Sequence, residues 1–366
     1  MEAKRAEGNF IPANILSFRS INFTDGKAEL IYVKGGVMAM NCYAPEGTLI
    51  STQKNYEYIS SREGLARALE KQVILEAPVL LCDHKFNLHV ELSAGIKGII
   101  PKHEVQYIAE GERIKDIAIL TRVGKTVCFK VVGFERKENG EIVAILSRRA
   151  AQKECYTNYI SALIPGDIIP SKVTHLENFG AFVDIGCGII SLLSIDTISV
   201  SRISHPSARL AVGETFYTVV KEIDERGRVY VTERELLGTW EENAQAFKEG
   251  ETVRGIIRSV ESYGVFVELK PNLAGLAEYR DDVKVGSQTA VYIKSIIPEK
   301  MKIKLIIIDS EETAAPYSPI EYYIDVENVS HIDSWRYSPR SSARVIESRF
   351  TPSEETALKY SDNNYI

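Results

Sequence analysis

The stretch Lys172-Val173-Thr174-His175-Leu176-Glu177-Asn178-Phe179-Gly180-Ala181-Phe182-Val183-Asp184-Ile185 decides the fold. β-branched and aromatic residues dominate it, as in a strand pair. Its aromatic-Gly step falls mid-run, where a residue without Cβ permits the bend that curls two strands into a small barrel. The pattern returns at Ile256-Ile257-Arg258-Ser259-Val260-Glu261-Ser262-Tyr263-Gly264-Val265-Phe266-Val267-Glu268-Leu269. Gly166-Asp167 leads the first version and Gly250-Glu251 the second. The offset is 84 residues from Gly166 to Gly250 and again from Phe179 to Tyr263. A constant offset over so many positions marks a duplicated unit.

Each unit continues with a further run (Ile189 to Leu193; Leu273 to Leu276) and two closing strands. These are Thr215 to Ile223 with Arg228 to Thr232, and Gln288 to Ile296 with Met301 to Ile307. Five strands with a curled first pair predict a closed five-stranded barrel. A fainter third copy lies upstream: Val73 to Cys82, Phe86 to Leu92, Gly95 to Pro101, Val127 to Phe134 and Ile142 to Leu146. It lacks the aromatic-Gly step, and it has Phe86 at the Phe179 position and His89 at the Phe182 position. Helix-prone segments join the copies (Arg148 to Ser161; Glu233 to Phe247, with Trp240). Ser60-Ser61-Arg62-Glu63 has capping-box spacing, so a helix is expected through Leu65, Ala66 and Leu69. The predicted class is mainly β, with tandem barrels joined by helical linkers.

The chain divides accordingly. Residues 1–40 form an N-terminal extension and 41–72 a lead-in with a helix. A degenerate barrel spans 73–149, a helical linker 150–162, and a clear copy 163–235. A second linker covers 236–247 and a second clear copy 248–309. Residues 310–350, with strand-like Glu321 to Val326 and Val345 to Phe350, are expected to pack on the last barrel, and 351–366 to be disordered.

Composition narrows the function. The 366 residues are 45% hydrophobic and 26% charged, typical of globular domains. No apolar run approaches the roughly 18 residues of a membrane helix, and the first residues lack a secretory signal. Cys42, Cys82, Cys128, Cys155 and Cys187 are odd in number and scattered, which suits a reducing, cytoplasmic setting. No cofactor or metal site is expected; His84 and His89 lack a nearby Cys. The net charge of −6 denies global attraction to nucleic acid. Charge is uneven: residues 73–149 are net +2, 163–235 net −3, 248–309 net +1 and 310–366 net −5.

These residues resemble the S1 RNA-binding domain, the OB-fold module repeated in bacterial ribosomal protein S1. The resemblance rests on Phe179-Gly180-Ala181-Phe182-Val183 with Asp224 and Arg228, and on Tyr263-Gly264-Val265-Phe266-Val267 with Gly275-Leu276 and Lys302. It implies two clear OB barrels and one degenerate one. The wider chain is similar to a clostridial-type group of S1-like small-subunit ribosomal proteins, through Ser147-Arg148-Arg149-Ala150-Ala151-Gln152, Pro298-Glu299-Lys300-Met301-Lys302 and His331-Ile332-Asp333. The His that the family carries after the Gly-Leu turn is here Pro101, Ser194 and Glu278, and Ser191 replaces a turn Gly.

Single-stranded nucleic acid is held by aromatic faces beside cations that track phosphates. Phe179 with Phe182, and Tyr263 with Phe266, are the expected stacking pairs. Lys172 and Arg228, and Arg254, Arg258, Lys302 and Lys304, are the expected phosphate contacts. Phe86, His89, His175, Asp224 and Lys300 are weaker candidates. Lys300-x-Lys302-x-Lys304 reads as three cations on one strand face, or alternatively as a charged guard on an edge strand. Trp240 and Trp335 read as packing anchors between domains.

The expected function is non-catalytic binding of single-stranded RNA or mRNA in the translation machinery, by a monomer near the small ribosomal subunit. The alternative is a protein-docking adaptor with weak RNA binding. A hydrolase or nuclease finds no P-loop, Gly-x-Ser-x-Gly or metal-type cluster. The codons of Lys34-Gly35-Gly36 can spell a purine-rich ribosome-binding sequence, so translation is expected to begin at Met38 or Met40. Mass spectrometry of the native protein checks this, and one peptide covering residues 9–19 overturns it.

Overall fold

The computed structural model describes residues 19–24, 27–32, 43–92, 95–108, 113–138, 140–314 and 320–350. Residues Met1–Cys42 form one unit and Tyr43–Ile366 another. In the first, β1 (Arg19–Thr24) pairs antiparallel with β2 (Lys27–Tyr32). The expected start of translation and the expected disorder of 351–366 both fall outside the described residues.

The second unit contains three closed five-stranded barrels. Barrel one is β3 (Leu75–Cys82), β4 (Leu88–Glu91), β5 (Lys97–Ile100), β6 (Thr126–Arg136) and β7 (Ile142–Ser147). Barrel two is β8 (Ile168–Glu177), β9 (Gly180–Asp184), β10 (Ile190–Ser194), β11 (Thr215–Ile223) and β12 (Val229–Thr232). Barrel three is β13 (Thr252–Glu261), β14 (Gly264–Lys270), β15 (Leu273–Ala277), β16 (Ser287–Ile297) and β17 (Lys302–Ala314). In each, the third strand runs parallel to the fifth, and the remaining pairs are antiparallel. The degenerate copy therefore closes in the same way as the clear ones.

Alternation drives these strands. Ala181 and Val183 point into the core while Phe182 points out; Val265 and Val267 do the same around Phe266. The first strand of each barrel carries a bulge at the same place: Leu80, Thr174 and Arg258 are the extra residues. A bulge sharpens the local twist, which lets one long strand serve both neighbours of a small barrel. Closure leaves β17 between β15 and β16, so the lysines at its start do not guard an edge.

The helix Arg62–Lys71 forms where expected, but its cap is Ser61, whose hydroxyl accepts from the Gly64 N–H, and the Ser60/Glu63 spacing is not used. The helix Arg148–Asn158 links barrels one and two. The short helix Trp240–Ala244 starts with a capping box between Thr239 and Glu242. Residues 321–326 are not a strand, contrary to the expectation; the later strand appears as β19 (Glu347–Arg349), paired with β18 (Ser334–Arg336). Nor does the C-terminal segment rest on barrel three alone. The Ile168 N–H donates to Ser330 and the Ile332 N–H to Gly166, while Trp335 and Tyr337 join the core of barrel three. Phe350 packs with Ile168, Val219 and Leu236 of the preceding barrel. The segment straps the two barrels together because its apolar side chains fit both. Trp240 and Trp335 are both buried in that shared packing.

Each junction is built on a buried carboxylate. Between barrels one and two, Glu46 accepts from Arg148 Nε (2.7 Å) and Nη2 (3.0 Å) and from the Cys128 N–H, and its own N–H donates to Asp184. Burial pushes the Glu46 carboxyl up, but Arg148 overcomes this and holds it below the usual range. Between barrels two and three, Glu268 is 4% exposed and receives both Arg209 (Nη1 2.7 Å) and Arg258 (Nε 2.8 Å). Burial acts against its charge, yet the hydrogen bonds from Arg209 and Arg258 keep it below the usual range. Asn272 adds to this joint: its Oδ1 accepts from the Val200 N–H, and its amide donates to Arg234 and Gly238.

Glu233 differs from these two. It is buried, its Oε2 has no hydrogen-bond partner among the described residues, and burial pushes its pKa from 4.5 to about 8. A carboxyl whose folded pKa is raised contributes stability below its unfolded pKa and loses it as pH rises toward the folded one. Replacing Glu233 by Gln should therefore raise the melting temperature by roughly 2–4 °C near pH 8.5, with little change near pH 4.5. Calorimetry across that range checks it, and a gain that is constant with pH would contradict the assignment.

Candidate nucleic-acid interface

At the β8–β9 tip Phe179 is 54% exposed, and Phe182 on β9 is half-buried and outward. Their rings meet edge to face, with centroids 6.0 Å apart and planes at 88°. At the β13–β14 tip Tyr263 is 67% exposed, and its ring meets Phe266 at 6.1 Å and 87°. Two separate barrels thus present the same ring pair in the same geometry. The intervening Gly makes this possible. A Cβ on Gly180 would lie 2.3 Å from the Leu193 carbonyl oxygen, and one on Gly264 2.4 Å from that of Ala277. The tip of the hairpin lies against the third strand, and only glycine leaves room.

Register extends each pair into a row across the outer face. In barrel two, His175, Phe182, Leu192 and Tyr230 stand side by side on β8, β9, β10 and β12. In barrel three the row is Ser259, Phe266, Leu276 and Lys304 on β13, β14, β15 and β17. Neighbours across strands on one face lie about 4.5–5.5 Å apart at Cβ. The His175 ring stacks on Phe182 at 6.4 Å and 18°, and its Nε2 bonds to Glu177. Barrel one has Leu81, His89, Ile99 and Ile145 in the corresponding row, three aliphatic side chains and one imidazole.

The cations are distributed differently from the expectation. Lys172 donates from Nζ to the Glu46 carbonyl at 2.8 Å, so it ties the first junction together. Arg258 is locked onto Glu268 at the second junction and is nearly buried. Both are withdrawn from the face because a buried carboxylate or carbonyl needs their charge more than solvent does. Arg254 is exposed but lies about 16 Å along β13 from Ser259. Lys300 belongs to the turn Pro298–Lys300, and Met301 adopts a left-handed conformation before β17 begins, so Lys300 is not on the strand face with the other two. Lys302 and Lys304 are exposed on β17, with no ion-pair partner among the described residues. Arg228 is exposed and bonded to Asp224 at 2.8 Å, while Asp224 also accepts from the Arg226 and Arg228 N–H groups and so caps that turn.

In barrel one, the Lys102 ammonium sits 4.3 Å from the centre of the Phe86 ring, and His89 bonds to Asp83. Phe86 adopts a left-handed backbone in a tight turn capped by Asp83. One face of this ring is already occupied.

The sequence reading missed Tyr230 and Leu192, although Val229-Tyr230-Val231 carries the signal of an outward residue between two core valines. It also missed Glu46 and Arg209, whose partners lie 102 and 59 residues away, and which no local pattern marks.

Closed five-stranded barrels of this topology are OB-like, and residues 163–233 match the S1 RNA binding domain. The wider chain is similar to small ribosomal subunit protein bS1. It is 27% identical to that of Staphylococcus epidermidis over 293 residues (78% of this chain, 69% of that protein) and 27% identical to that of Streptococcus pneumoniae over 250 residues (63% and 59%). The chain thus spans 59–69% of the length of these relatives. Among solved structures, a multidomain protein with nucleic acid binding domains from Streptococcus pneumoniae aligns at 14% identity over 65% of this chain and 73% of its own, with a TM-score of 0.22. Among the described residues no helix is long and apolar enough to cross a membrane, and no cluster of His, Cys, Asp and Glu could hold a metal ion.

The fit of the hairpin tip gives a direct check. Gly180→Ala should destabilise the protein by roughly 1–3 kcal/mol, as overpacking against backbone does. Phe179→Ala, at an exposed position, should change it by less than about 0.5 kcal/mol. Chemical denaturation compares the two, and equal effects would mean that Gly180 has room to spare.

Proposed function

We propose that this chain is a non-catalytic RNA-binding protein of the translation machinery, acting in the cytoplasm as a monomer beside the small ribosomal subunit. The observation that carries the reading is the ring pair repeated at 6.0 and 6.1 Å on two barrels, each within an outward row. Bases stack on such rings at about 1–3 kcal/mol each, whatever their identity, so the substrate class is single-stranded RNA or mRNA without strict sequence demand. Phosphates meet Lys302 and Lys304, with Arg228, already bonded to Asp224, a lesser contact. Barrels joined by ordered junctions hold one strand at two places, and the second contact gains from the first through effective concentration. The S1 RNA binding domain match and the similarity to ribosomal protein bS1 support this assignment.

The mostly aliphatic row on barrel one, Leu81, Ile99 and Ile145 around His89, favours a second role for that barrel, as a docking surface for protein. The two roles are compatible within one chain.

Fluorescence titration with single-stranded RNA at several salt concentrations tests the main reading. Affinity should fall as salt rises, with a log–log slope of about −0.7 per phosphate contacted. Tyr263→Ala combined with Phe266→Ala should weaken binding by roughly tenfold or more. Binding that survives this pair unchanged removes the stacking mechanism. Sedimentation with ribosomes in the absence of RNA binding would favour the docking role.

A further inference from the structure

The rows on barrels two and three match in position but differ in chemistry. Register puts Tyr230 on β12 beside Leu192, where barrel three has Lys304 on β17 beside Leu276. At the other end of the row, His175 stands opposite Phe182 where Ser259 stands opposite Phe266. Barrel two therefore offers four rings, those of His175, Phe179, Phe182 and Tyr230. Barrel three offers two rings and a cation.

The surroundings follow the same division. Glu222 lies opposite Tyr230 on β11 and pairs with Lys221 at 3.6 Å, and Glu177 bonds to His175. Carboxylates thus stand at both ends of the barrel-two row. In barrel three, uncharged Ser295 lies opposite Lys304 on β16, and Lys302 and Lys304 keep their charge uncompensated among the described residues. Barrel two thus ends its row in carboxylates paired with Lys221 and His175, and its exposed Arg228 is bonded to Asp224. The ammonium groups of Lys302 and Lys304 on barrel three have no ion-pair partner among the described residues and attract a phosphate more strongly.

We propose, resting on the RNA-binding reading above, that the two barrels divide one single-stranded RNA by chemistry. Barrel two takes unpaired bases on its rings, with Tyr230 as a further stacking residue, and barrel three takes the phosphodiester backbone through Lys302 and Lys304. Stacking is uncharged and responds weakly to salt. A phosphate contact releases counterions and responds strongly. The two barrels are therefore separable by salt dependence even though both lie on one chain.

The experiment uses the full chain, a fluorescently labelled oligouridylate, and titrations at four or more salt concentrations. Tyr230→Leu should weaken binding about tenfold at every salt concentration and leave the log–log slope unchanged. Lys302→Ala with Lys304→Ala should reduce the magnitude of the slope by about 1.4, two contacts at roughly 0.7 each, with little loss at high salt. The exchanges Tyr230→Lys and Lys304→Tyr serve as a second readout, the first steepening the slope and the second flattening it. Circular dichroism confirms that each variant is folded. A slope change from Tyr230→Leu equal to that of the lysine pair overturns the division, as does an unchanged slope in the lysine pair. An unaltered chain that binds no RNA at all overturns the functional reading instead, so the two failures are distinguishable.

Discussion

Glu268 is a carboxylate sealed from water and held in its charged form by two guanidinium groups from opposite sides of a joint. Removing either partner leaves a buried charge poorly compensated, which costs on the order of 3–5 kcal/mol in other proteins. Arg209 comes from the segment after β10, and Arg258 is the bulge residue of β13, so the bond network spans barrels two and three. The barrels are consequently one body, and their faces keep a set relation. Glu46 does the same for barrels one and two with Arg148, the first residue of the connecting helix. Ordered joints reduce the entropy lost when a strand engages two sites, which is what lets weak single sites act together.

The same constraint explains which cations reach solvent. Arg258 sits at the bulge that coils its barrel, close to the ring pair, and a surface role is the natural reading of the bare sequence. Its neighbour Glu268 is buried, however, and a buried carboxylate takes the nearest guanidinium. Lys172 is drawn inward by the Glu46 carbonyl in the same way. Beside the ring row of barrel three, the exposed cations are the pair on β17, where core residues Ile303 and Leu305 alternate with Lys302 and Lys304.

The barrels were legible in the sequence because strand alternation and the aromatic-Gly step are local signals, each readable within about ten residues. Even the degenerate copy kept the alternation, although Phe86 and His89 had lost the chemistry. The ring pairs were readable for the same reason: Phe182 and Phe266 each fall between two core residues. What the sequence could not convey was pairing over distance. Tyr230 joins the row through a parallel contact with Leu192 that no local pattern encodes, and the role of Arg258 depends on Arg209 and Glu268, which are far from each other in the chain. The segment 321–326 reads as a strand because its tyrosines and isoleucine are strand-like, but Tyr322, Ile324 and Val326 pack as side chains over β8, β11 and Leu236 while Tyr323 turns to Lys270 of β14.

The strap has a consequence for vectorial synthesis. Ribosomes emit the N-terminal end first, so the loop bearing Glu46 is already outside when the helix after barrel one arrives to meet it. The clasp formed by Ser330, Ile332, Tyr337 and Phe350 emerges only after every strand of the third cylinder has been made. Until then Gly166, Ile168 and Leu236 wait without their cover. The finished assembly of the last two cylinders thus registers that translation has passed Phe350, and a product stopped before that point carries an apolar scar where the clasp should lie.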